Sequence, residues 1–330
     1  MTAAPTISVV LCTYNGERFL REQLDTIAAQ SLPAFELIVC DDLSTDATLR
    51  LVEVFATTAP FPVRIHRNAE RLGSTRNFEQ GMRLATGALI AFCDQDDRWH
   101  LDKLAQLARI MQGDRIAGVF TDAGLIDDTG APLPDSLWSR GHITPSDLQR
   151  FRTDPIGLLL RQDVATGATM ILRSSVRDLY PAIPPEWVHD GWLVWMIVLH
   201  AGRIGRLEPS PLRLIEYRVH HAQQTGGEAA RVGSRSDPLA TRLEKARLAG
   251  HAHHLAAARR LNLVLTYWLD RNHGARDATA LRLERTIALL EQRSSLPLPR
   301  LTRAVRILVM LPLYVKYGNG LRSAIRDLLA

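Results

Sequence analysis

Three aspartates, Asp94, Asp96 and Asp97, fall within four residues, directly after the apolar run 89–93. Carboxylates packed this tightly repel one another and bind protons more readily. A hard divalent cation removes the repulsion, and Mg²⁺ typically takes one or two carboxylates together with substrate phosphate oxygens. The pattern points to a cation site that handles a phosphorylated ligand; a capping cluster is the alternative use of the same residue types. Other polar clusters follow other apolar runs. Thr13-Tyr14-Asn15 comes after residues 7–12, Asp41-Asp42-Leu43-Ser44 after residues 35–40, and Thr75-Arg76 heads a helical pattern. Taken singly, each has an ordinary reading as a turn, a cap or a surface charge. Further on, His189-Asp190 precedes a strongly apolar helical run, where a carboxylate ordinarily serves as an N-cap. His220-His221 closes a strand pattern. Neutral imidazole binds Mn²⁺ well and imidazolium steadies a diphosphate, although paired histidines at a strand end are also ordinary surface residues. His251, His253 and His254 share their region with no carboxylate or cysteine pattern and read as a solvated helix face.

Such clusters need a scaffold that gathers strand ends. Apolar runs at 7–12, 35–40 and 89–93, and a strand pattern at 63–66, alternate with helical patterns ending near Gln30, running from Thr45 or Asp46 to about Thr57, and covering 74–85. Near-continuous apolar strands between helices predict a parallel sheet covered on both faces. Ligands of such sheets bind beyond the carboxyl ends of the strands, where these clusters fall. The second half is less regular, with strands expected at 118–121, 168–172 and 212–217 and an apolar helix over 192–199. Residues 225–238, rich in Gly and Ser, read as a linker. Helical patterns follow, broken near His273-Gly274 and at Pro297 and Pro299. The fold class is therefore α/β, with a domain over 1–225 and a helical C-terminal region over 226–330.

The chain has 330 residues, 46% hydrophobic and 23% charged, which excludes wholesale disorder. Its longest unbroken apolar run, 307–315, is far short of the ~20 residues of a spanning helix. No basic segment precedes the first apolar run, so no secretory signal is expected. Cys12, Cys40 and Cys93 lie singly in apolar runs, as reduced core thiols of a cytoplasmic protein do. The net charge of +5 conceals an asymmetry: residues 1–130 hold 12 basic and 18 acidic groups, and residues 239–330 hold 16 and 6. An acidic front suits a site that holds metal and diphosphate; a basic tail suits nucleic acid or membrane headgroups. Nucleic acid is disfavoured, because basic residues are spread thinly, aromatics are 6%, and no nucleic-acid motif occurs. A nicotinamide dehydrogenase needs Gly-x-Gly-x-x-Gly after the first strand, where this chain has Thr13-Tyr14-Asn15-Gly16-Glu17-Arg18. In the tail, Arg300, Arg303 and Arg306 interleave with Leu301, Val305, Leu308 and Val309, and Lys316, Arg322 and Arg326 follow. That pattern fits a helix lying in an anionic membrane interface, one packed on the rest of the protein, or a homo-oligomer contact.

Three motifs in order carry a family likeness: Ser8-Val9-Val10-Leu11-Cys12-Thr13-Tyr14-Asn15, Glu36-Leu37-Ile38-Val39-Cys40-Asp41-Asp42-Leu43-Ser44-Thr45-Asp46, and Gly87-Ala88-Leu89-Ile90-Ala91-Phe92-Cys93-Asp94-Gln95-Asp96-Asp97. Over roughly residues 5–225 the chain resembles glycosyltransferase family 2, inverting nucleotide-sugar enzymes with the GT-A (Rossmann-like) fold. Asp94 to Trp99, with Tyr217 to His221, is most similar to its rhamnosyltransferase-like branch. The resemblance implies that Thr13, Tyr14 and Asn15 border the pyrimidine, that Asp42 accepts its imide N–H, and that Arg76 sits near base or diphosphate. It implies Asp94 and Gln95 by the ribose and Asp96 on Mn²⁺ or Mg²⁺, with His220 as a further candidate ligand. Asp190 matches the general base, His189 standing where the family usually has Glu. Gly167 and Thr169 resemble the acceptor-side lining. Arg71 stands where the family often has Asn and receives no role. The implied reaction takes a sugar from dTDP-rhamnose or a UDP-sugar to a hydroxyl of a surface polysaccharide or lipid-linked precursor, at the inner face of the plasma membrane. The alternatives are a non-catalytic nucleotide-sugar-binding protein and a transferase acting on a soluble acceptor.

Overall fold

The four strand patterns of the N-terminal half become four parallel strands in the computed structural model, which describes residues 4–113, 115–180, 182–220, 239–297, 300–318 and 320–329. β1 (Ile7–Thr13), β2 (Glu36–Asp41), β3 (Val63–Arg67) and β4 (Leu89–Cys93) lie in the order β3-β2-β1-β4. The helices α1 (Leu20–Ala28), α2 (Thr48–Ala56) and α3 (Gly73–Leu84) are the crossovers between them. Helices cover both faces of the sheet, so β1, β2 and β4 are buried along their whole length, which explains their unbroken apolar sequence. β3 is the edge, and its exposed Arg64, His66 and Arg67 blunt it against pairing with another chain. The core holds Val9, Leu11, Leu24, Leu37, Val39 and Leu104.

The rest of the sheet turns mixed. Next in the chain come β5 (Arg98–Trp99), α4 (Lys103–Met111), β6 (Ile116–Ile126), β7 (Pro132–Ser136), α5 (Leu137–Arg140), α6 (Pro145–Thr153) and α7 (Pro155–Leu159). A 3₁₀ turn (Gly167–Thr169), β8 (Ile171–Arg173), α8 (His189–Leu199), α9 (Ala201–Ile204) and β9 (Arg206–Arg218) complete it. The order continues β4-β8-β6-β9-β5, with β8 antiparallel to both neighbours, β9 parallel to β6, and β7 on β6. The strand expected at 168–172 is a 3₁₀ turn followed by only three strand residues. Thr169 holds that turn, its hydroxyl donating to the Thr166 carbonyl at 2.7 Å.

The chain divides into two compact units, Met1–Thr153 with Val164–His220, and Asp154–Asp163 with His221–Ala330. His221, the expected linker 225–238 and the boundary at 225 lie outside the described residues. The second unit comprises α7 with α10 (Leu239–Arg271), α11 (Ala278–Ser294), α12 (Arg300–Tyr317) and α13 (Leu321–Leu329). Its inclusion of 154–163 departs from a single boundary at 225; Arg282 on α11 holds Asp154 through two bonds of 2.8 and 2.9 Å. The break at His273-Gly274 is present, Gly274 taking φ +78° and its N–H bonding to the Leu269 carbonyl. One expectation is corrected. His254 is buried, not solvated, and its Nε2 faces Asp327 at 3.9 Å.

Candidate active site

The polar clusters converge at the carboxyl edge of β1, β2 and β4 because those strands run parallel in near-matched register, Cys12 beside Cys40 and Leu11 beside Cys93. At the end of β1, Thr13 is buried and donates to Asp41 at 2.9 Å. Asn15 takes φ +46°, a conformation Asn tolerates, and braces two loops. Its N–H bonds to Ser44 Oγ at 3.0 Å and its Oδ1 accepts the Thr45 N–H at 2.8 Å. Tyr14 is left exposed at the rim. Gln95 pairs with the Tyr14 backbone in both directions, at 2.9 and 3.1 Å, and lies so close beneath Gly16 that any Cβ there would collide with it. Gln95 thus fixes the tyrosine loop.

Asp42 ends up at the start of α3. It accepts the N–H groups of Leu72 (2.7 Å) and Gly73 (2.9 Å), the Asn68 amide (2.9 Å) and Arg71 Nε (3.3 Å). Burial alone would raise its carboxyl, but these donors outweigh it and hold the group below the ordinary value. The guanidinium of Arg71 also lies 3.4 Å from the centroid of the Tyr14 ring. Arg76 is exposed on the first turn of α3, and Thr75 reaches the Trp187 carbonyl at 3.4 Å.

Beyond β4, oxygens of Asp94, Asp96 and Asp97 lie within 4.8 Å of one another. Asp97 is fully buried; one oxygen accepts the Arg218 N–H at 3.0 Å, and the other has no hydrogen-bond partner. Burial and the Asp96 and Asp94 charges drive its carboxyl far up, against the Arg218 N–H and Lys103. Asp94 is raised by burial and by Asp96 and Asp190. Asp96 meets His220 Nε2 at 2.8 Å, the imidazole packed on the Phe19 ring. An oxygen-rich donor set with one imidazole and an orphaned buried carboxylate oxygen fits Mn²⁺ or Mg²⁺.

Asp190 reaches this edge from α8. The N-cap of α8 is Val188, so Asp190 lies inside the first turn and is not the cap. Its two oxygens accept the N–H groups of Gly167 (3.0 Å) and Gly191 (2.7 Å). His189 points the other way, into the core, stacked on Phe78 with centroids 4.2 Å apart, neither ring nitrogen hydrogen-bonded. Burial lowers its pKa and keeps it neutral. Gly167 lies directly over that ring, where a Cβ would collide. Gly167 and Asp190 therefore share the site, while Thr169 and His189 support it from beneath.

Two cations escape the sequence patterns. Lys103, fully buried, donates to the Ala168 carbonyl at 2.7 Å and stands 3.8 Å from the Trp99 ring centroid. Burial lowers its pKa to about 8, opposed by Cys93, Asp97 and Asp94. Arg218, 1% exposed, bonds Glu22 at 2.6 Å and the Asp96 carbonyl at 2.7 Å, locking β9 to the aspartate loop. The Arg218 signal lay in its place two residues before His220; Lys103, at a helix start, gave none.

Comparison with known proteins gives the family and the fold. The family model described as Glycosyl transferase family 2 matches residues 8–180. An uncharacterised glycosyltransferase of Nostoc is 25% identical over 66% of this chain and 65% of its own length. A Bacillus subtilis protein named as a teichuronic acid biosynthesis glycosyltransferase is 27% identical over 51% of this chain and 72% of its own. An amylovoran biosynthesis glycosyltransferase of Erwinia amylovora is 32% identical over 37% and 43%. Among solved structures, the mannosyltransferase PcManGT from Pyrobaculum calidifontis, in complex with GDP-Man and Mn²⁺, has a TM-score of 0.54 at 18% identity, covering 98% of this chain and 81% of that one. TarS of S. aureus in complex with UDP-GlcNAc gives 0.54 at 17%, covering 98% and 91%. Both share the GT-A arrangement of sheet and helices described above.

Proposed function

The chain belongs to glycosyl transferase family 2, and on that premise we propose that it moves a sugar, with inversion, from a nucleoside diphosphate to a hydroxyl of a surface-polysaccharide or lipid-linked glycan precursor. The donor is dTDP-rhamnose or a UDP-sugar. One observation carries the reading: a carboxylate held by two backbone N–H groups, Asp190, shares a strand edge with three clustered aspartates. Relatives named for teichuronic acid and amylovoran biosynthesis support a glycan product.

Tyr14 offers a stacking face for the base, Thr13 and Asn15 shape its loop, and Asp42 accepts the imide N–H. Arg76 supplies positive charge at the head of α3, with Asp94 and the Gln95 loop beside the ribose. Asp96 and His220 would hold Mn²⁺ or Mg²⁺, with Asp94 and Asp97 within reach. The bound cation supplies positive charge for the departing diphosphate. Asp190 takes the proton of the acceptor hydroxyl as that oxygen attacks the anomeric carbon from the face opposite the diphosphate. The Gly167 and Gly191 N–H groups fix both its oxygens, so the base meets the hydroxyl preoriented. His189 and Thr169, expected to line the acceptor side, are buried beneath that loop and keep it in place.

The test separates binding from chemistry. By calorimetry with a panel of nucleoside-diphosphate sugars and Mn²⁺, Asp96→Asn is expected to abolish cation-dependent binding. Asp190→Asn is expected to keep donor affinity within about twofold while transfer falls ~10²-fold or more. Full transfer by the Asp190 variant removes it as the base, and cation-independent binding in the wild type removes the metal.

A further inference from the structure

The second unit exposes apolar surface on the helices that carry its densest positive charge. One side of α12 is buried through Ile307, Met310 and Tyr314. The opposite side holds Leu301, Val305, Leu308, Val309 and Val315, from 55% to 81% exposed. Their spacing of four, seven, eight and fourteen residues from Leu301 puts them on one stripe. α13 repeats the arrangement in miniature, with Leu321 and Ile325, 60% and 55% exposed, one turn apart. A helix apolar on two sides ordinarily has both covered, and the described residues cover one.

The exposed charge on α12 and α13 has a single sign. Arg306, Lys316, Arg322 and Arg326 are exposed on the same two helices. The one acidic residue from 297 to the end is Asp327, which is buried and bonded to Arg293 and Tyr314. Where α12 ends, Lys316 also lines a cavity of about 370 Å³ with Arg161, Arg282 and Arg285 against the lone carboxylate Asp154. No helix of the described residues is long and apolar enough to cross a membrane, so a stripe of this kind belongs in the interface plane.

We propose that the exposed face of α12 and α13 docks on an anionic lipid surface, its leucine and valine stripe entering the acyl boundary while Arg306, Lys316, Arg322 and Arg326 meet the headgroups. A lipid surface fits better than a second copy of this chain, because the same face of a second copy would oppose basic rim to basic rim. The proposal stands apart from the active-site reading.

The experiment is sedimentation of the full chain with vesicles of phosphatidylglycerol and phosphatidylcholine, or of phosphatidylcholine alone. Binding to the anionic vesicles is expected, weakening as salt rises. Paired Leu308→Glu and Val309→Glu are expected to reduce it at least tenfold. Paired Arg322→Glu and Arg326→Glu are expected to reduce it at least tenfold on anionic vesicles, since each basic residue near such a surface is worth about fivefold. All four positions are exposed, and an unchanged thermal midpoint with unchanged nucleotide affinity confirms that each variant is folded. Absence of wild-type binding, or equal binding by the Leu308/Val309 variant, overturns the proposal. So does a dimer in ultracentrifugation that this variant dissociates, which assigns the face to a second copy.

Discussion

Each oxygen of Asp42 already takes two donors, so a base can bond to it only by displacing one. Three of those donors are backbone or a buried amide; the fourth, Arg71, is half exposed and the longest at 3.3 Å. The same guanidinium covers the Tyr14 ring on which a pyrimidine would stack. A base bound as proposed would therefore compete with Arg71 for both contacts. An exposed cation–π contact and an exposed ion pair are together worth about 1 kcal/mol. Arg71→Ala is therefore expected to tighten UDP binding about fivefold in calorimetry; weaker binding would instead make Arg71 a donor ligand. At this scale the sequence was informative about ligand-type residues and silent about their counter-ions. Asp94, Asp96 and Asp97 stand together in the chain, whereas Arg218 meets Asp96 across 122 positions and Lys103 meets Ala168 across 65. Local pattern shows a cluster of charge but not what neutralises it.

Elements were legible where they repeat a period long enough to see. β1, β2 and β4 follow directly from apolar runs, β3 from a short strand pattern, and α1 to α3 from amphipathic stretches. β5 has two residues, too few for any period, and exists because Arg98 and Trp99 pair with Glu216 and Ile215 on β9. β2 shows a subtler case, because its apolar run begins with a buried acid, Glu36, 4% exposed. Ser8 Oγ (2.6 Å), the Thr86 N–H and hydroxyl (2.7 Å each) and Arg64 (3.1 Å) all donate to it. Burial would raise this carboxyl, but those donors bring it down to about 2 from 4.5. A depressed carboxyl stabilises the fold above its unfolded value and loses that stabilisation as pH falls through 4.5 toward 2. The difference corresponds to about 3 kcal/mol at neutral pH. In urea unfolding, Glu36→Gln is expected to lower stability by about 2–3 kcal/mol at pH 7. The gap to wild type should shrink by roughly 2 kcal/mol at pH 3. A gap independent of pH would show that packing, not ionisation, fixes this strand end.

At the scale of the whole molecule the acidic front and basic tail correspond to two units with separate cores. The second is organised around a buried ion, not around apolar packing alone. Asp327 accepts two bonds from Arg293, at 2.6 and 3.0 Å, and one from the Tyr314 hydroxyl at 2.6 Å, with His254 at 3.9 Å. Burial opposes its charge, and His254, Arg293 and Tyr314 overcome that and depress its carboxyl far below the usual range. Asp327→Ala leaves the Arg293 guanidinium buried without its carboxylate, and removing one partner of such a pair typically costs 3–5 kcal/mol. Since the strand-end site draws on a different core, the loss should be confined. Hydrogen exchange is expected to lose protection across α11 to α13 while β1, β2 and β4 keep theirs, with UDP affinity within twofold of wild type. The sign with pH follows from the depressed carboxyl: the stabilisation is present at neutral pH and lost as Asp327 is protonated on acidification, so wild type approaches the variant only well below pH 4. Protection falling in both units together would mean that the two cores unfold as one, and that the division of charge along the chain has no counterpart in its cooperativity.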